Sequence, residues 1–158
     1  MKRVFFIHIS FLVSFFILLS LVNSWLALSY WPLWLGAIIG SVLPELDSLV
    51  YVFFVNPQEL TSQRVIYFFK KGNILSAIKL LNETSAERDL LVFHSLSFIL
   101  VSFVLLFWLA TSSSNLLGLG IGFSIVLHGL VNELIDRKYP ISYAIIGFGM
   151  LLVLGIMA

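Results

Sequence analysis

The sequence predicts an all-α integral membrane protein: about five transmembrane helices plus a cytoplasmic or interfacial helical hairpin. Three observations predict it. Of the 158 residues, 60% are hydrophobic and 11% charged, where soluble domains carry about 25% charged residues; the mean hydropathy is +1.07. Apolar runs of about the 20 residues needed to cross a bilayer recur along the chain. All nine Lys and Arg fall in three polar segments that a five-span topology places on one side. The whole chain, 1–158, reads as a single membrane domain.

The first run, Val4 to Val22, follows Lys2 and Arg3 as a secretory signal would, and "ALS" (Ala27 to Ser29) has the small residues of a cleavage site. Its apolar part exceeds the roughly 7–15 residues of a signal core, so we read it as a retained first helix. "NSWLALSYWP" then brings Trp25, Tyr30 and Trp31 to an expected interface, where amphipathic rings settle. The second run, Leu33 to Val55, holds thirteen Leu, Ile, Val and Phe but also Pro44, Glu45 and Asp47. Each apolar residue returns roughly 0.3–0.6 kcal/mol on insertion, and two ionised carboxylates cost roughly 5–7 kcal/mol, so the sum is near zero. These carboxylates need partners from other helices, water or a metal.

Residues 56–89 form the longest polar segment. "NPQE" opens it, with Asn56 as cap, Pro57 at the first helical position and Glu59 completing a capping box. "TSAE" (Thr84 to Glu87) closes it as a second capping box. Between them "VIYFFKK" and "ILSAIKLL" mix apolar residues with lysines. That pattern suits helices lying along the headgroups, and equally a cytosolic hairpin packed on the bundle. Three further spans follow at about Leu90–Ala110, Leu116–Ile135 and Ile141–Met157, separated by "TSSSN" and "RKYP". The positive-inside rule puts the N-terminus, the long segment and the Arg137–Lys138 turn in the cytoplasm of a cell bounded by this plasma (inner) membrane. The C-terminus then lies on the opposite side.

Composition also excludes. Without cysteine there is no disulfide or thiolate metal site. A net charge of +1 with no basic stripe leaves no footprint for nucleic acid. The expected partner is the lipid bilayer.

The three histidines, His8, His94 and His128, all fall in predicted spans. The topology places them, together with Asp47, in the same leaflet. His128, Asn132 and Asp136 are spaced i, i+4, i+8 and form one stripe on a helix, while Glu133 points away from His128. Glu45 and Asp47, two apart, face nearly opposite ways on a regular helix, and Pro44 removes a hydrogen bond and can start a fresh segment after Leu43. We favour Asp47 as the inward group and Glu45 behind it. Imidazoles with a carboxylate and no thiolate suit a divalent metal, zinc first and manganese or iron next. The plainer alternative is that these groups are hydrogen-bond partners between helices.

At these residues the sequence resembles the membrane-bound metal-dependent hydrolases (YdjM-like) of bacterial inner membranes. That family has a histidine in its first helix, then "PDxDH", "HRGxTHS" and "HxxxD". "LPELDS" (Leu43 to Ser48), "FHS" (Phe93 to Ser95) and "HGLVN" (His128 to Asn132) match in order, with His8 as the N-terminal histidine, over roughly residues 5 to 136. The sequence departs at Ser48, Asp89, Leu90 and Asn132, where the family has histidine, histidine, arginine and aspartate. The resemblance implies one metal held by His8, Asp47, His94 and His128, Asn132 orienting a ligand, and Glu45 or Glu133 as general base. It implies hydrolysis of a phosphoester or lipid-type substrate at the cytoplasmic leaflet. The departures equally suit a non-catalytic relative acting as scaffold or lipid-binding element.

Overall fold

The computed structural model describes residues 2–84, 91–136 and 140–158, with the backbone alone at residues 2–5, 82 and 136. Every element among them is helical. The chain divides into two compact units, one comprising Met1–Pro44 with His94–Ala158 and the other Glu45–Phe93.

The first unit is built on α7 (Leu116–Asp136), which packs against α1 (Lys2–Val22), α2 (Trp31–Val42), α6 (Leu96–Ser112) and α8 (Ile141–Met157). Its core holds Phe16, Leu19, Leu33, Leu106, Phe123, Leu127 and Leu151. The α2–α7 contact is closest, because small residues let the two backbones touch. A Cβ on Gly36 would collide with the Leu117 carbonyl oxygen, one on Gly120 with that of Leu33, and one on Gly40 would lie 2.6 Å from that of Ile121. On α7, Gly120 thus faces α2, while Gly122 faces Leu106.

Between α1 and α2 the chain reverses through Ser24, whose φ of 58° lies in the left-handed region. Asn23 holds this turn by donating from Nδ2 to the Gly155 carbonyl at 2.6 Å. Trp25 packs inside the protein. It is buried, with its ring 5.9 Å from that of Tyr30, and the exposed ring is Trp31.

Pro44 changes the helix type instead of ending the helix. After α2 come a 3₁₀ turn (Leu43–Leu46), α3 (Asp47–Val50) and a π-helical turn (Tyr51–Val55). The second unit continues with α4 (Leu60–Lys70) and α5 (Ile74–Glu83) around Tyr51, Val52, Val65, Ala77 and Leu81. The "NPQE" box does not form: α4 begins at Leu60, and neither Asn56 nor Glu59 caps it through a side chain. Both turn to Tyr51, whose hydroxyl donates to Glu59 Oε2 at 2.9 Å and accepts from Asn56 Nδ2 at 3.2 Å. A buried phenol competes well for those polar groups. In "TSAE", Thr84 ends α5 by bonding back to the Leu80 carbonyl at 2.8 Å; Ser85 to Glu87 lie outside the described residues, as do Arg88, Arg137 and Lys138.

Two helical stretches among the described residues, Leu28–Val55 and Leu116–Ile135, are long and apolar enough to cross a membrane. Phe6–Val22, Leu96–Ser112 and Ile141–Met157 are shorter apolar helices. The third of the expected spans starts late, at Leu96, where the Ser95 side chain caps the helix by accepting from Phe98 N at 3.2 Å.

Candidate functional site

The site in the first unit is built by α7. His128 and Asn132 sit one turn apart on it and so project from one face. Gly129, between them in sequence, lets α6 close in: a Cβ there would lie 2.7 Å from Ile99 Cγ1. Ile99 lies in the first turn of α6, just after the cap at Ser95. This approach brings His94, immediately before the cap, beside His128, with ring centroids 5.7 Å apart and planes at 78°. His94 therefore stands in the turn leading into α6, not inside a helix as expected.

His8 arrives from α1. Its ring centroid is 4.3 Å from that of His128, with the planes tilted by 34°. Its Nε2 makes a 2.8 Å hydrogen bond with Asn132 Oδ1. Lower on the same pair of helices, Phe15 and Phe123 keep α1 and α7 in contact, with centroids 5.8 Å apart. His128 is 6% exposed, and His8, His94 and Asn132 are half-buried. Among the described residues Asn132 Nδ2 has no hydrogen-bond partner, although it is buried.

The acidic candidates divide. Asp47 belongs to the second unit and is 1% exposed. Its two carboxylate oxygens accept from consecutive backbone amides, Oδ1 from Val92 at 3.0 Å and Oδ2 from Phe93 at 2.7 Å. Such bonds offset part of the cost of burying the group, by about 0.5–1.5 kcal/mol net each. They answer how this carboxylate is buried at all. Glu45, on the 3₁₀ turn, is exposed and Ser48 is half-buried. Glu133 is half-buried on α7 next to Asn132, and Asp136 ends that helix. The side chain of Asp136, like all of Asp89, lies outside the described residues.

Sequence reasoning missed two things. The amides of Val92 and Phe93 carry no side-chain signature, and only the need to satisfy a buried carboxylate hinted at donors somewhere. The second was legible: "GAIIG", Gly36 to Gly40, is the small-xxx-small spacing of close helix pairs.

The donor types suit zinc, but their arrangement does not complete a site. Among the described residues no group of three or more His, Asp or Glu is placed to hold a metal ion. Asp47 is engaged by two amides and His8 by Asn132. No chemical step is therefore derived through a metal. In comparisons with family models, with curated proteins and with solved structures, nothing matches this chain.

Proposed function

We propose that this chain is a membrane-embedded helical protein whose buried polar residues hold its fold, and that it serves as a non-catalytic, lipid-binding element. One observation carries the reading: the buried carboxylate of Asp47 is bonded through both oxygens to the backbone of Val92 and Phe93. A carboxylate used in this way ties chain segments together. The His8–Asn132 bond does the same between α1 and α7.

The outer surfaces of the helices support a lipid environment. Leu100, Val104, Phe107 and Trp108 on α6, and Ile145, Met150 and Val153 on α8, are all exposed. A water-soluble monomer seldom leaves so continuous an apolar surface uncovered. Between α6 and α8 lies an open groove of about 590 Å³ lined by Phe103, Phe107, Ile146, Gly149, Met150 and Val153. It offers apolar walls to an acyl chain.

A second reading, a metal-dependent hydrolase acting on a phosphoester or lipid at the cytoplasmic leaflet, is favoured by one fact. The chain's three histidines come from three separate segments and meet at His128. Elemental analysis of the detergent-purified protein separates the two. The first reading expects substoichiometric zinc, manganese and iron in the wild type, and His128→Ala that lowers the melting temperature without changing metal content. One equivalent of metal in the wild type, lost in His128→Ala and His94→Ala, would replace it with the second.

A further inference from the structure

The turn joining α4 to α5 is Lys71–Gly72–Asn73. Gly72 takes a φ of +73°, where a side chain is unwelcome. Asn73 starts α5 by accepting the Ser76 amide on Oδ1 at 3.2 Å. From there α5 carries an apolar arc wider than the surface it buries. Leu80, Ala77 and Leu81 pack on the Tyr51–Val65 core. Ile74, Ile78 and Leu75 continue the arc outward, with Ile74 55% and Leu75 81% exposed. Lys79 borders this outer shoulder along the helix, and Lys70 and Lys71 stand beside it at the turn, all three exposed.

Charge decides what this shoulder fits. From Lys70 to Leu81 there are three lysines and no carboxylate. Lys71 lies over the Tyr67 ring at 4.5 Å, and no carboxylate among the described residues forms an ion pair with it. Lys79 approaches Glu83 at 3.8 Å in an exposed i,i+4 pair, a contact worth little in water. Apolar side chains fringed by ammonium groups match a surface with an apolar interior beneath a layer of phosphates.

We propose that the α4–α5 tip docks on an anionic lipid surface. Ile74, Leu75 and Ile78 seat below the headgroups, and Lys70, Lys71 and Lys79 lie against phosphates. This rests on the membrane reading above and adds lipid charge as the quantity recognised.

The chain has no cysteine, so single labels are placed cleanly on the full-length protein. Leu75→Cys and, as a reference on the apolar exterior of α6, Val104→Cys are spin-labelled. Each is reconstituted in phosphatidylcholine, alone or mixed with phosphatidylglycerol. Accessibility to oxygen, which concentrates in lipid, is compared with that to a water-soluble nickel complex. In the anionic bilayer the label at Leu75 is expected to favour oxygen. The oxygen-to-nickel ratio is expected to fall several-fold in pure phosphatidylcholine, and again with Lys70→Gln, Lys71→Gln and Lys79→Gln combined. A label at Leu75 open to nickel in both bilayers, with Val104 in lipid, overturns the inference alone. A label at Leu75 shielded from both reagents shows a protein partner or second copy on this face, and also overturns it. Both labels open to nickel overturn the membrane reading as well.

Discussion

The two units solve the problem of holding helices together by opposite means. In the first, α7 is gripped through the near absence of side chains: Gly36, Gly40 and Gly120 bring backbone against backbone. In the second, a small apolar core around Val52, Val65, Ala77 and Leu81 is supplemented by a carboxylate and a phenol, Asp47 and Tyr51, with their polar partners. Dispersion at close range does not need water to be expelled, so it works in lipid as well as in water. A small core gains less from burial, and directed hydrogen bonds add to it. The comparison teaches that the closest helix contact of the first unit is made by backbone packing, with the His8–Asn132 bond beside it, whereas the second adds hydrogen bonds to a buried carboxylate and phenol.

Four experiments break or sharpen that contrast. Gly120→Leu should have the largest effect, since the atoms it strikes are main-chain atoms that cannot rotate away. The cost should exceed the about 1–3 kcal/mol typical of overpacking. Circular dichroism in detergent should show lost cooperative unfolding, and a melt within a few degrees of wild type would contradict the packing account.

Asp47→Ala comes next. It deprives two amides of their acceptor and should cost about 2–4 kcal/mol, read from denaturant titration. Asp47→Asn, which keeps one acceptor oxygen, should lose about half as much. If Asn is as damaging as Ala, the bonds to Val92 and Phe93 are not what Asp47 contributes.

The polar contact inside the first unit should be weaker. A double-mutant cycle with His8→Ala and Asn132→Ala is expected to give a coupling of about 0.6 kcal/mol, with about 1.7 as the upper end seen for such pairs in membranes. A coupling indistinguishable from zero removes the helix-tying role.

Gly149→Ala should be smallest. Nothing lies within 4 Å of a Cβ built there, so the helix gains up to about 1 kcal/mol of propensity at no steric cost. Destabilisation at this position would mean that the α6–α8 groove is closed by something in the folded protein.

Much of the helical pattern was legible because apolar run length and turn chemistry act locally. The second, fourth and fifth apolar runs have helices over them, and the "TSSSN" break falls between α6 and α7. The start of α6 was not legible. The apolar "LVF" before His94 reads as helix by composition, whereas the Ser95 cap and the use of the Val92 and Phe93 amides by Asp47 keep Leu91 to Phe93 out of a helix. The same competition misplaced Asn56 and Glu59, both ordinary capping residues until a buried Tyr51 hydroxyl takes them. Of the candidate site, the sequence singled out the three histidines, whose rings lie side by side, but not the contact of His8 with Asn132. Which hydrogen bonds those groups would choose did not, because a sequence lists donors and acceptors without pairing them.

The Asp47 bonds have a further consequence. They join residue 47 to residues 45 and 46 positions later, at the entrance and exit of α3, α4 and α5. Between those points the chain is an excursion whose ends are already tied. The entropy of closing such an excursion grows only with the logarithm of its length, about 0.6 kcal/mol per doubling. Extra residues inserted at the Gly72 turn would thus leave the tied ends nearly undisturbed. In polymer terms the hairpin is closed at its root, independently of the length of the turn at its tip.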